Sequence, residues 1–215
     1  MGKNIKLSIL SGILISIGGS VYMASTTAGI SWLGAILFTG GLYAICIYGF
    51  NLYTGKVGYL AEKYNDGSYW GLVGITLIFN ILTTFVLGVL IGKLFPAVRQ
   101  AALKSYEAKL AAPYWKDLVS GIFCGMLMFL AVDTWKEGHK LGMFFYVPIF
   151  IIAGFDHSIA NSFYNGAALS DATWTLNNLY LILIVILGNG IGGVIIPLLK
   201  KDRKPKDEDP SKYII

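Results

Sequence analysis

The chain reads as an all-α membrane protein: six transmembrane helices in two inverted three-helix repeats, with the second and fifth helices broken. Three observations predict this. The 215 residues are 55% hydrophobic and only 13% charged, with a mean hydropathy of +0.64. A soluble domain carries about 25% charge, so this composition cannot cover a water-facing surface. Six apolar runs each reach the roughly 20 residues that a helix needs to cross hydrocarbon. Two of those runs, the second and the fifth, carry the same interruption, Gly49-Phe50-Asn51 and Gly154-Phe155-Asp156. They hold matching places in two three-span halves, and because three is odd the second half must run inverted.

The first span covers residues 6–27. Lys3 and Lys6 ahead of it, and Ala24-Ser25 near its end, mimic a secretory leader. The run is long for one, and Gly18-Gly19-Ser20 suits helix packing, so it is read as a retained span. The second run covers residues 32–60, the third 70–94, the fourth 115–135, the fifth 141–164 and the sixth 176–199. Residues 1–199 thus form the transmembrane domain. Residues 200–215 form a charged tail with two prolines, read as cytoplasmic and disordered.

Orientation follows from the Lys and Arg residues. With both termini inside, five of the 17 fall outside: Lys93, Arg99, Lys104, Lys109 and Lys116. The rest lie on the inner side, which predicts a multi-pass protein of the cell (inner) membrane with both ends cytoplasmic. All five outer charges sit in the connection between spans three and four. Within it, residues 95–114 alternate apolar Ala101, Ala102, Leu103 and Tyr106 with polar Gln100, Lys104 and Glu107. This spacing predicts a short amphipathic helix on the outer membrane surface, stopped by Pro113. The cluster reads either as an anion attractor or as an ordinary surface loop.

The fifth run is the most telling. It places Asp156, His157, Ser158 and Asn161 inside a span, where ionisable groups are costly and mark a transport path or proton relay by default. The second run answers with Asn51, Tyr53, Thr54 and Lys56. Glycine permits unusual dihedrals there, and Asx and Thr compete for backbone hydrogen bonds. The freed backbone groups are tolerated only where they line a cavity. Glycine-interrupted segments at matching positions of inverted halves point to a site near the midplane.

Other classes fit poorly. The net charge of +5 is no nucleic-acid signal, because the basic residues lie in loops and the tail rather than among exposed aromatics. Cys46 and Cys124 both fall in apolar runs and offer neither a disulfide nor a metal spacing. Two histidines, His139 and His157, are too few for a haem pair or metal centre, so no cofactor is expected and the chain is not read as an enzyme.

These stretches carry a family resemblance over nearly the whole chain, to the formate/nitrite transporter family. Residues 49–55, Gly-Phe-Asn-Leu-Tyr-Thr-Gly, resemble its Gly-Ala-Glu/Asp-Leu-Phe-Thr loop. Leu130-Ala131-Val132 resembles the end of its fourth-span signature. Residues 154–161, Gly-Phe-Asp-His-Ser-Ile-Ala-Asn, are nearly its Gly-Phe-Glu-His-Ser-Val/Ile-Ala-Asn. Gly188-Asn189-Gly190-Ile191-Gly192-Gly193 resembles its Gly-Asn-x-x-Gly-Gly. The histidine motif is the most specific.

The resemblance implies an aquaporin-like bundle assembled in the lipid bilayer as a homopentamer, with one pore per protomer. It implies passage of a small monovalent anion: formate, nitrite, hydrosulfide or a similar weak-acid anion. The family's pore histidine falls on His157, its loop threonine on Thr54 and the leucine two residues earlier on Leu52. Its hydrophobic rings fall on Phe38, Leu42 and Phe150, and its vestibule lysine on Lys109. The two motif asparagines fall on Asn161 and Asn189. Departures put the substrate in doubt: Gly125 replaces the fourth-span asparagine, Phe79-Asn80-Ile81 lacks the usual flanking glycines, Asn51 replaces an acid, and Tyr53 stands for Phe.

On this reading Lys109 concentrates anions at the outer mouth. Phe38, Leu42, Leu52 and Phe150 form narrows that exclude large or strongly hydrated species. His157 then donates a hydrogen bond or a proton to the anion, with Thr54, Asn161 and Asn189 as orienting partners. Two alternatives remain open from the residues: an aquaporin-like channel for neutral solutes, although paired Asn-Pro-Ala loops are absent, and a membrane anchor subunit of an enzyme.

Overall fold

The computed structural model describes residues 1–169 and 175–200. Among them there are helices and turns and no strand. In order they are α1 (Gly2–Thr27), α2 (Ser31–Ile47), α3 (Tyr53–Lys56), a 3-10 turn (Val57–Ala61), α4 (Gly67–Leu94) and α5 (Pro96–Leu110). Next come α6 (Tyr114–Lys136), a 3-10 turn (Lys140–Gly142), α7 (Met143–Ile152), α8 (Ser158–Ala168) and α9 (Leu176–Leu199). The charged tail expected beyond Lys200 lies outside the described residues.

Four helices, α1, α4, α6 and α9, are long and apolar enough to cross a membrane; α2 and α7 are shorter apolar helices. The faces of α4 explain how such a helix sits. Thr76, Asn80, Thr84, Gly88 and Gly92 recur every four residues and are buried. Ile78, Leu82, Val86 and Leu90 recur on the other side and are more than half exposed. A helix in water hides its aliphatics; this one presents them and buries its polar and small residues, as lipid solvation requires.

The small residues let backbones approach. A Cβ at Gly192 of α9 would run into the Ile122 carbonyl of α6, and one at Gly125 of α6 would run into the Asn189 carbonyl. That explains the glycine at position 125, where the family resemblance led us to look for asparagine. The α6–α9 and α4–α8 pairs make the most extensive helix contacts among the described residues.

Helices α2 and α7 end alike. Gly49 (φ 65°) and Gly154 (φ 73°) are left-handed, a conformation open to glycine because it lacks a Cβ. The Phe50 N–H then reaches back to the Ile45 carbonyl at 2.9 Å, and the Phe155 N–H to the Phe150 carbonyl at 2.8 Å. This is the Schellman closure of a helix C-terminus. Each break closes on an extended residue, Leu52 or His157, and the chain restarts as α3 after Leu52 and as α8 after His157. The shared Gly-Phe-Asx is therefore one backbone device used twice.

Helix α5 exists, with one difference from expectation. It ends at Leu110, three residues ahead of Pro113, which also serves as the N-cap of α6. A residue ahead of proline is biased away from helical dihedrals, so the helix closes earlier. Its apolar face does not lie on a membrane surface. Ala101, Ala102 and Tyr106 are buried against α1 and α8, and the Tyr106 hydroxyl donates to the Asn178 carbonyl at 3.3 Å.

Candidate pore site

Each break leaves backbone groups without helical partners, and one buried asparagine serves each. Asn80 of α4 accepts from the Tyr53 N–H at 2.9 Å. Its amide donates to the Asn51 carbonyl at 3.0 Å and to the Ser8 carbonyl of α1 at 2.8 Å. Asn189 of α9 accepts from the Ser158 N–H at 2.8 Å. Its amide donates to the Asp156 carbonyl at 2.7 Å and to the Gly121 carbonyl of α6 at 2.8 Å. The two sets correspond group for group: Tyr53 with Ser158, Asn51 with Asp156, α1 with α6. Both asparagines have zero exposure, as fully satisfied buried amides should.

Between Asn51 and Tyr53 stands Leu52; between Asp156 and Ser158 stands His157. The clamps thus hold an aliphatic and an imidazole at equivalent points of the two breaks. The His157 side chain caps its own helix: Nδ1 accepts from the Ala160 N–H at 3.1 Å. A backbone N–H can only donate, so the neutral ring carries its hydrogen on Nε2. That nitrogen lies 2.8 Å from the Thr54 hydroxyl, across from one break to the other. Nε2–H therefore donates to Thr54 Oγ.

Aromatic rings line up beside this pair. The Phe150 ring stacks on the imidazole at 5.7 Å, and Phe38 meets Phe150 edge-on at 6.4 Å. Leu42 and Leu52 are buried and face a cavity of about 200 Å³ at the end where α6 and α9 finish. The structure therefore groups His157, Thr54, Phe38 and Phe150, with Leu42 and Leu52 beside a neighbouring cavity.

The remaining expected residues lie elsewhere around the second break. Lys109 forms an ion pair with Asp156. Asp156 also accepts from the Ser120 hydroxyl at 2.6 Å and from the Asn161 amide at 2.8 Å. Asn161 thus serves the Asp156 carboxylate and Asn189 serves the backbone, where the sequence had offered both as partners of the imidazole. No cluster of metal-ligating side chains occurs among the described residues.

Sequence reasoning missed four participants. Asn80 is the counterpart of Asn189, and its signal was an amide alone in an apolar span. Ser120 has no signal in the sequence, because its partner Asp156 is 36 residues away. Lys56 and Lys136 line the 200 Å³ cavity; Lys56 stands two residues after Thr54, which was a usable hint.

Comparison with known proteins adds independent support. Residues 1–200 match the model of the formate/nitrite transporter family. The chain is 29% identical over 203 residues to an uncharacterised transporter, YrhG, of Bacillus subtilis (strain 168), covering 82% of this chain and 75% of that one. It is also 29% identical over 239 residues to a probable formate transporter of Methanothermobacter thermautotrophicus, covering 91% and 86%. Among solved structures, a pentameric formate channel with formate bound superposes with a TM-score of 0.77 at 20% identity, covering 93% of this chain and 95% of that one. With a family match over almost its full length and apolar helices throughout, the chain is a multi-pass membrane protein and belongs to the formate/nitrite transporter family.

Proposed function

We propose that each protomer is a pore for small monovalent weak-acid anions of the formate, nitrite and hydrosulfide type, centred on His157. Six spans carry it, α2–α3 and α7–α8 each being one broken span, in two inverted halves. Both termini face the cytoplasm across the inner membrane. The homopentamer is carried over from the pentameric formate channel that shares the fold.

The observation that carries the reading is the 2.8 Å contact between Thr54 and His157 Nε2. It joins two glycine-broken helices inside an apolar surround. A bare anion in hydrocarbon costs many kcal/mol, so the pore must hydrate, neutralise or hydrogen-bond it. Phe38, Phe150, Leu42 and Leu52 strip water. Nε2–H stands among them as a donor that can exchange its Thr54 partner for an anion oxygen.

An imidazolium would turn a second N–H against the Ala160 N–H. The neutral ring that donates through Nε2 therefore fits the local geometry. A proton that travels with the anion then comes from water in the vestibules, and His157 steadies the acid as it forms.

Liposome flux decides it. His157→Phe should abolish formate and nitrite passage, and His157→Asn, which keeps a donor, should retain part of it. Unchanged anion flux in His157→Phe would rule out the central role. Swelling with water or glycerol alone, without anion passage, would point to a neutral-solute channel instead.

A further inference from the structure

We infer that the cavity at the end where α6 and α9 finish is an anion-receiving site built on Lys56 and Lys136. It takes a small monovalent anion and passes it to Leu42 and Leu52. The inference rests on the pore reading above and adds the place where the anion is first held.

The cavity of about 200 Å³ is lined by Leu42 and Leu52 at its inner end and by Lys56, Lys136, Tyr69 and Trp135 among its other walls. Lys56 is half-buried and Lys136 exposed. The ion pairs among the described residues are Lys109–Asp156 and Lys200–Asp133, so neither cavity lysine is held in an ion pair there, although Asp133 and Glu62 lie near enough to Lys136 to act on its charge. Both lysines line the one cavity, and the Lys56 charge acts on Lys136. Like charges held together repel, and a single bound anion relieves both.

Each lysine is also positioned. The Tyr69 hydroxyl donates to the Lys56 carbonyl at 2.9 Å, which fixes the turn that carries it. Lys136 Nζ stands 3.3 Å over the Tyr59 ring, a cation–π contact. Because the wall at Trp135, Leu42 and Leu52 is apolar, the lysine charges are less screened here than in bulk water.

The opposite end contrasts with this one. Lys109, expected from the sequence to draw anions, is met by Asp156, and a second carboxylate, Asp117, is buried nearby at the start of α6. Lys109 is thus tied up in an ion pair, whereas Lys56 and Lys136 face a cavity without one.

Cys46 supplies the reporter, since its thiol lines this cavity while Cys124 is fully buried. The experiment uses the full-length protein in lipid nanodiscs, where both ends are accessible. Cys46 is labelled with an anionic sulfonatoethyl and a cationic trimethylammonioethyl methanethiosulfonate, and Cys46→Ser sets the background. Taking the ratio of the two rates cancels differences in thiolate content.

The anionic reagent should react faster by about tenfold or more. Lys56→Gln with Lys136→Gln should bring the ratio close to one. Sodium formate should slow labelling of the parent protein and leave the double variant unaffected. Lys56→Arg with Lys136→Arg, which keeps both charges, should keep the ratio and guards against misfolding of the glutamine variant. An equal ratio in parent and glutamine variant, protection of both alike by formate, or no labelling of Cys46 would each overturn the site. Charge-selective labelling without anion flux would keep the site and remove the pore reading.

Discussion

At the scale of single residues, hydrogen-bond bookkeeping assigns roles that residue type alone leaves open. Thr54 is the acceptor that holds Nε2–H of His157, and a buried donor without a partner costs about 1–3 kcal/mol. Thr54→Val should therefore lower formate flux by about tenfold, or more if the ring turns away, while Thr54→Ser should keep most of it. Proteoliposome flux separates the two.

Asn80 and Asn189 each satisfy three backbone groups. Asn189→Ala and Asn80→Ala should each destabilise the protein by several kcal/mol, at about 1–3 kcal/mol for each orphaned group. Thermal unfolding in detergent should show losses of similar size for both. A large loss for one and none for the other would contradict their equivalence.

A third residue gives a pH dependence. Asp66 caps α4, and the Ser68 hydroxyl, then the Tyr69 N–H, hold its carboxyl below the usual range. A depressed carboxylate contributes stability above its unfolded pKa and loses it as pH falls through the folded pKa. Asp66→Asn keeps a cap and should flatten the acid side of the stability–pH curve, as read by melting temperature against pH.

At the scale of helices, backbone proximity decides. A Cβ at Gly192 meets the Ile122 carbonyl, which is backbone and cannot swing aside. Gly192→Ala should push α9 off α6 and destabilise by about 1–3 kcal/mol. Because Asn189 sits on the same face of α9, flux should fall with stability. A variant as stable as the parent would show that α6 and α9 have slack.

Helix existence was legible at this scale. Residues 70–94 and 176–199 were expected as helices, and α4 and α9 occupy nearly those bounds, because long apolar runs have no other way to satisfy their backbone in lipid. The 3-10 turn at Val57–Ala61 was not legible, nor was the packing of α5 inward. Both depend on which neighbour covers the segment, and the amphipathic spacing of α5 fits a protein face as well as a lipid one.

At the scale of the whole molecule, the proposed assembly is five copies of the 23.4 kDa chain. Native mass spectrometry from detergent should show that pentamer as the main species, and a monomer that still passes formate would separate pore from assembly.

Composition, the apolar runs and the twice-used Gly-Phe-Asx were enough to place the helices and the two glycine-ended breaks, because these are local consequences of hydrophobicity and backbone dihedrals. What only the folded chain decided is who meets whom. Thr54 faces His157 across 103 residues, Lys109 is paired with Asp156 across 47, and Lys56 shares a cavity with Lys136. Such pairings depend on inter-helix distance and side-chain direction, set by packing against non-neighbouring segments, and no local pattern along the chain encodes them.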